Sequence, residues 1–97
     1  MRKVHDIKIL SDFAEDILNG DKTFEIREND RGYQRGDGIR FEVVSKKPSD
    51  PLGEHPISKK LFEITYVMNG WGIKNGYVVF GFKENQDGVR EQRRGET

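Results

Sequence analysis

Between Val4 and Lys83 the apolar residues recur mostly at every second position, in short runs separated by glycine, asparagine, aspartate and proline. The period turns helical only once. Successive strand side chains point to opposite faces, whereas a stripe at three and four residues marks a helix. Strands are therefore expected at Val4–Leu10, 22–28, 39–44, 61–68 and 77–83, with one helix at 11–19. In that helix Phe13 and Ile17 stand four apart, as do Ala14 and Leu18. Ser11 is a suitable N-cap, and Asn19 and Gly20 supply the stop. Strands and helices do not alternate as βαβ units, which argues against a doubly wound parallel sheet. The pattern predicts an α+β chain: a small, mostly antiparallel β-barrel of about five or six strands, with one main helix after the first strand.

The core must be modest. The chain has 97 residues, 33% of them apolar and 35% charged, which suits one domain. That domain is expected at 1–84, followed by a polar, disordered tail at 85–97. Alternation places Phe13, Ile17, Phe24, Ile26, Ile39, Phe41, Ile64 and Val79 in the core, with Val67, Phe80 or both. His5 shares a face with Ile7 and Ile9 and reads as a buried structural histidine. Asp37 reads as a turn former opening the third strand. Segment 45–60 holds all three prolines and is long for a connection, so a mobile flap or functional loop is expected there.

Seventeen basic residues balance seventeen acidic ones. General nucleic-acid binders usually carry a basic excess, so any such contact should be small and selective. The chain has no cysteine and two histidines, which excludes disulfides and thiolate zinc sites; no metal or cofactor is expected. No apolar run is long enough to span a bilayer, and a cytoplasmic protein is the default.

The chemistry concentrates between Gly20 and Arg27. With Phe24 and Ile26 turned inward, Thr23, Glu25 and Arg27 would form a polar row on the other face, with Lys22 at the turn beside them. On residues alone this row reads as an exposed ion pair of little energetic worth. If it faces a cleft, Arg27 could hold a phosphate or carbonyl through two hydrogen bonds, and Glu25 could orient it. Lys8 alternates out of the core and would add a second cation if the first two strands are neighbours. Tyr33, between Arg31 and Arg35, could stack a base or pack over the barrel end. Trp71, between Gly70 and Gly72, could be a stacking platform or a plug in a barrel mouth.

The spacing Gly20-x-Lys22-Thr23-x-Glu25-x-Arg27 after a short helix resembles the signature of ASCH domains, members of the PUA-like β-barrel superfamily. More narrowly, the chain is similar to a small, poorly characterised ASCH-related family of bacteria and their phages. The start at 4–10, Asn29-Asp30-Arg31, Arg35-Gly36-Asp37 and the stretch 76–81 fit in the same order, from about Val4 to Phe82. The resemblance implies a PUA-like fold and an RNA or nucleotide ligand bound beside the helix, at Lys8, Lys22, Thr23, Glu25, Arg27, Tyr33 and Trp71. An alternative it implies is a small amidohydrolase of acylated nucleosides. There a lysine, a threonine three residues later and a distant glutamate carry the reaction. Lys22 matches, but Glu25 stands where the threonine belongs, and the turn at 69–76 has no acid. Glu25 acting as a base on water, with Lys22 steadying the oxyanion, remains the chemistry open to such an enzyme. A non-catalytic protein-interaction domain is the third reading.

Overall fold

The computed structural model describes residues 2–45 and 54–85. Its elements follow in the order β1 (Val4–Leu10), α1 (Ser11–Leu18), β2 (Phe24–Glu28), β3 (Gly38–Ser45), a 3-10 turn (Pro56–Lys59), β4 (Phe62–Met68) and β5 (Tyr77–Glu84). The strands form one sheet in the order β1-β3-β4-β5-β2. Only β1 and β3 run parallel; the other three pairings are antiparallel. The sheet curls into a half-barrel, so the α+β architecture expected from the alternation is the one observed. Among the described residues no helix is long and apolar enough to cross a membrane.

Curling brings the two edges, β1 and β2, towards each other. Arg27 on β2 donates to the carbonyl of Lys8, and Arg31 in the following loop donates to the carbonyl of Asp6. Two guanidinium groups thus span the seam that a complete barrel would close with backbone hydrogen bonds.

The concave face holds Ile7 and Ile9 from β1, Ile39 and Phe41 from β3, Phe62 and Ile64 from β4, and Val78, Phe80 and Phe82 from β5. Phe41, Phe62 and Phe82 meet at centroid distances of 5.3 to 5.6 Å, two of the three contacts edge-on, an arrangement that ring quadrupoles favour. On β3, only Gly38 and Ile39 pair with β4. The rest of β3 follows β1 and packs beneath α1 and the 3-10 turn. That turn belongs to the proline segment for which a mobile connection was expected. Residues 46–53 lie outside the described residues; within 54–60, His55 and Ile57 are buried, Ile57 fully so in the core, while Glu54, Pro56 and Lys59 are exposed. His55 fastens the turn. Its Nδ1 accepts from the Ile57 N–H, so its Nε2 carries the proton and donates to Glu15 on α1 at 2.8 Å. The tail expected at 85–97 also lies outside the described residues, except for Asn85, whose N–H donates to Leu61.

Three local expectations are corrected. Ser11 is not the cap: Leu10 holds that position without a side-chain bond, and Ser11 is buried inside the first turn. Ala14 and Ile17 face the core while Phe13 lies at the surface. The largest correction is in β2, where Phe24 and Ile26 are 45% and 55% exposed and Glu25 is 5% exposed. The polar row faces inward, and the apolar pair faces out. The cause is pairing with β5, which is apolar on both faces. Glu25 stands opposite Phe80, and Ile26 opposite Val79. Adjacent Val79 and Phe80 cannot both face the core; Phe80 does, and Val79 is only half-buried.

This register has a measurable consequence. In urea unfolding, Phe80→Ala and Ile57→Ala should cost about 2–5 kcal/mol, while Phe24→Ser and Ile26→Thr should each cost less than about 1 kcal/mol. The reverse ranking would restore the inward-facing pair.

Candidate functional site

The α1–β2 junction places the first cation. Gly20, at φ +88°, ends the helix: its N–H returns to Ile17, and the N–H of Asp21 returns to Asp16. This is the paired bonding of a Schellman stop, in which glycine adopts the left-handed conformation at little cost. The N–H of Lys22 also bonds to Asp16, so the backbone of Lys22 is held to the helix end. Its ammonium then reaches Glu25 Oε2 at 3.0 Å and donates to the Phe24 carbonyl. It also lies over the rings of Phe13 and Phe24, with centroids 5.2 and 4.9 Å away. Both distances fall within cation–π range.

Arg27 supplies the second cation. Its Nε lies 3.4 Å from Glu25 Oε1, while another of its nitrogens holds the Lys8 carbonyl across the seam. Both oxygens of a buried carboxylate are thereby matched to cations. Without partners a buried carboxylate would cost several kcal/mol in lost solvation. The trio carries one net positive charge. Its exposure is graded: the Glu25 side chain is almost fully covered, Lys22 is 16% exposed and Arg27 28%.

Below the trio, Tyr33 is buried with its ring against His5 and Phe80, at centroid distances of 4.7 and 4.8 Å. Burial pushes its hydroxyl above the ordinary tyrosine pKa, and the nearby Arg31 and Arg27 charges only partly offset this. His5 Nε2 pairs with Asp37 Oδ2 at 2.8 Å, both side chains being buried. The same Asp37 oxygen accepts the Gln34 N–H. The expected structural histidine and turn-forming aspartate are therefore one linked unit.

The structure brings together Lys22, Glu25 and Arg27, with Tyr33 beneath them. Four expected features take different forms. Lys8 contributes its carbonyl, because its side chain points outward from β1. Thr23 is exposed, and its carbonyl accepts the Phe82 N–H. Tyr33 packs over the barrel end and offers no free ring face to a base. Trp71 is 91% exposed, which rules out a plug, and its loop lies at the Glu28 end of β2, opposite Lys22. Sequence reasoning missed Phe13 and Phe24 as site residues because it assigned both to the core. For Phe24 the deciding fact is the pairing of β2 with β5, which sets Glu25 opposite the buried Phe80, and that pairing is tertiary. Among the described residues no three metal-ligating side chains cluster.

Two outcomes test this geometry. Lys22→Met and Arg27→Met should each cost about 1.5–3 kcal/mol. The double variant should lose more than their sum, by about 0.5 kcal/mol or more, because it strands the Glu25 charge; a double-mutant cycle in urea reads the coupling. Tyr33, whose folded pKa is raised, keeps its proton in the native state after the unfolded chain has lost it. Its stabilising contribution is thus present below about pH 10 and is lost as pH rises through the folded value. Melting temperature should fall more steeply above that pH in wild type than in Tyr33→Phe.

A family model described as a domain of unknown function matches residues 4–82, from the start of β1 almost to the end of β5. No curated protein matches the chain.

Proposed function

The chain belongs to the DUF3850 family, and we propose that in this member the half-barrel is a nucleotide- or RNA-binding module. Its cleft is the β1–β2 seam beside α1. The observation that carries this is the Lys22–Glu25–Arg27 trio, with one excess positive charge at a partly open seam and two exposed rings, Phe13 and Phe24, against the Lys22 ammonium. A phosphate matches the charge, and an unpaired base matches the rings. Glu25 then acts as an orienting group that holds both cations in place. The resemblance to ASCH domains of the PUA-like superfamily points to the same ligand class and the same side of the fold.

The amidohydrolase reading draws less support from this geometry. A general base needs a free lone pair within reach of water. Both Glu25 oxygens already face cations, and the side chain is nearly covered.

The test is titration with a short single-stranded RNA, with thermal melts alongside. Phe24→Ala and Phe13→Ala, at exposed positions, should each weaken binding about fivefold or more and leave melting nearly unchanged. Arg27→Lys keeps the charge and loses the forked donor geometry, and should weaken binding about tenfold. Wild-type affinity in all three variants would remove the seam as the binding cleft. Turnover of an acylated cytidine, lost in Glu25→Gln, would favour the enzyme instead.

A further inference from the structure

The loop joining β4 to β5 carries a second set of features that the seam does not use. It is built from two consecutive hydrogen-bonded turns. The Ile73 N–H returns to Gly70, and the Tyr77 N–H returns to Lys74. In the first turn both central residues have positive φ, Trp71 at +54° and Gly72 at +89°. This is the type I′ arrangement, which favours Asn, Asp or Gly at both positions. Trp71 is the single non-glycine residue with positive φ among the described residues. A bulky side chain is disfavoured there, and a ring 91% exposed recovers almost nothing through packing. Neither local backbone preference nor the core accounts for tryptophan at this position.

In the same loop lies an open pocket of about 410 Å3, lined by Asn29, Asn69, Ile73, Lys74, Asn75 and Tyr77 and by two of the loop's glycines. Trp71 is not part of the lining, but it lies in the same turn, between the lining residues Gly70 and Ile73 in the chain. The pocket is tied to the barrel: the Asn29 N–H donates to Gly76, and the Asn29 side chain accepts the Tyr33 N–H. Lys74 holds its ammonium 5.2 Å from the Tyr77 ring centre. The lining residues thus include Asn69 and Asn75, whose carboxamides are polar on both ends, Asn29, whose oxygen already serves Tyr33, one lysine, one tyrosine and Ile73, with no carboxylate. A carboxamide presents a donor and an acceptor side by side, the pattern that pairs with the edge of a nucleobase. The ammonium suits a phosphate, and an exposed indole suits a stacked base. The volume lies in the range of small-ligand sites, about 300–1,000 Å3.

We propose that the β4–β5 loop is a second binding site, for one nucleotide, with its base stacked on Trp71 and directed at the asparagine amides and its phosphate on Lys74. The ligand class rests on the nucleotide reading above; the site itself does not depend on the seam. It lies at the far end of β2 from Lys22, so a single strand held at both would be fixed at two separated points.

Trp71 is the only tryptophan in the chain, so emission excited at the red edge, where the three tyrosines do not absorb, and corrected for nucleotide absorption, reports on this residue alone. The four ribonucleoside monophosphates are titrated singly into the full chain, each to about 10 mM. At least one should quench the emission saturably. Lys74→Ala should weaken that binding about tenfold, and more for the monophosphate than for its nucleoside. Asn75→Ala should weaken monophosphate and nucleoside alike. Trp71→Asn, followed by calorimetry, should lose about tenfold or more and melt at a higher temperature, since asparagine tolerates the left-handed turn. Phe24→Ala should leave mononucleotide quenching unchanged while weakening the short RNA. That contrast separates failure of this site from failure of the seam. The proposal is overturned if no monophosphate quenches saturably, if quenching is the same in Lys74→Ala and Asn75→Ala, or if a neutral oligosaccharide such as maltotriose saturates the site instead.

Discussion

The inward-facing Glu25 carboxylate is the constraint around which this half-barrel is organised. A charge on the concave side of a small sheet is unfavourable unless it is matched, and Lys22 and Arg27 match one oxygen each. Meeting that requirement fixes other parts of the molecule. Lys22 must leave the helix end at one place, and the Schellman stop puts it there. Arg27 must turn into the seam, and from there it also holds the Lys8 carbonyl of β1. The ionic group that occupies the candidate cleft is therefore also part of what draws the two sheet edges together.

The same economy of parts appears in the two buried histidines. His5 joins β1 to the loop before β3 through Asp37, and His55 joins the 3-10 turn to α1 through Glu15. Each histidine links segments far apart in sequence, with an acidic partner supplying the second half of the clasp. A chain with modest apolar content gains tertiary definition from such pairs where a larger protein would use more core.

Much of the fold could be read from sequence. The strands, the single helix and its glycine stop follow from local periodicity and local turn chemistry, and local rules determine them. The face on which β2 lies does not follow. Its apolar residues, Phe24 and Ile26, point outward because the strand is an edge whose inner side meets the seam, and seam closure is a tertiary fact. β5 adds to the ambiguity, because Tyr77 and Val79 on one face look as apolar as Val78 and Phe80 on the other. The candidate site was half legible. Lys22, Glu25 and Arg27 were recognisable as a group from their spacing. Their neighbours were less so: Phe13 and Phe24, expected in the core, lie at the surface, and Tyr33, open between stacking a base and packing over the barrel end, is buried. The anchoring of the 3-10 turn has no signal in the sequence, because Ile57 and His55 alone carry it, and one apolar residue sets no period.

The arginine contacts across the seam bear on self-association. A strand edge with unused carbonyls is a template on which another chain can add, and proteins blunt such edges with charge. Here Arg27 and Arg31 occupy two alternate carbonyls of β1, at Lys8 and Asp6. An incoming strand would have to displace two charge-assisted hydrogen bonds and bring its backbone up against guanidinium groups. The open side of the half-barrel thus carries charge where an added strand would dock, and the arginines that hold the seam also blunt its edge.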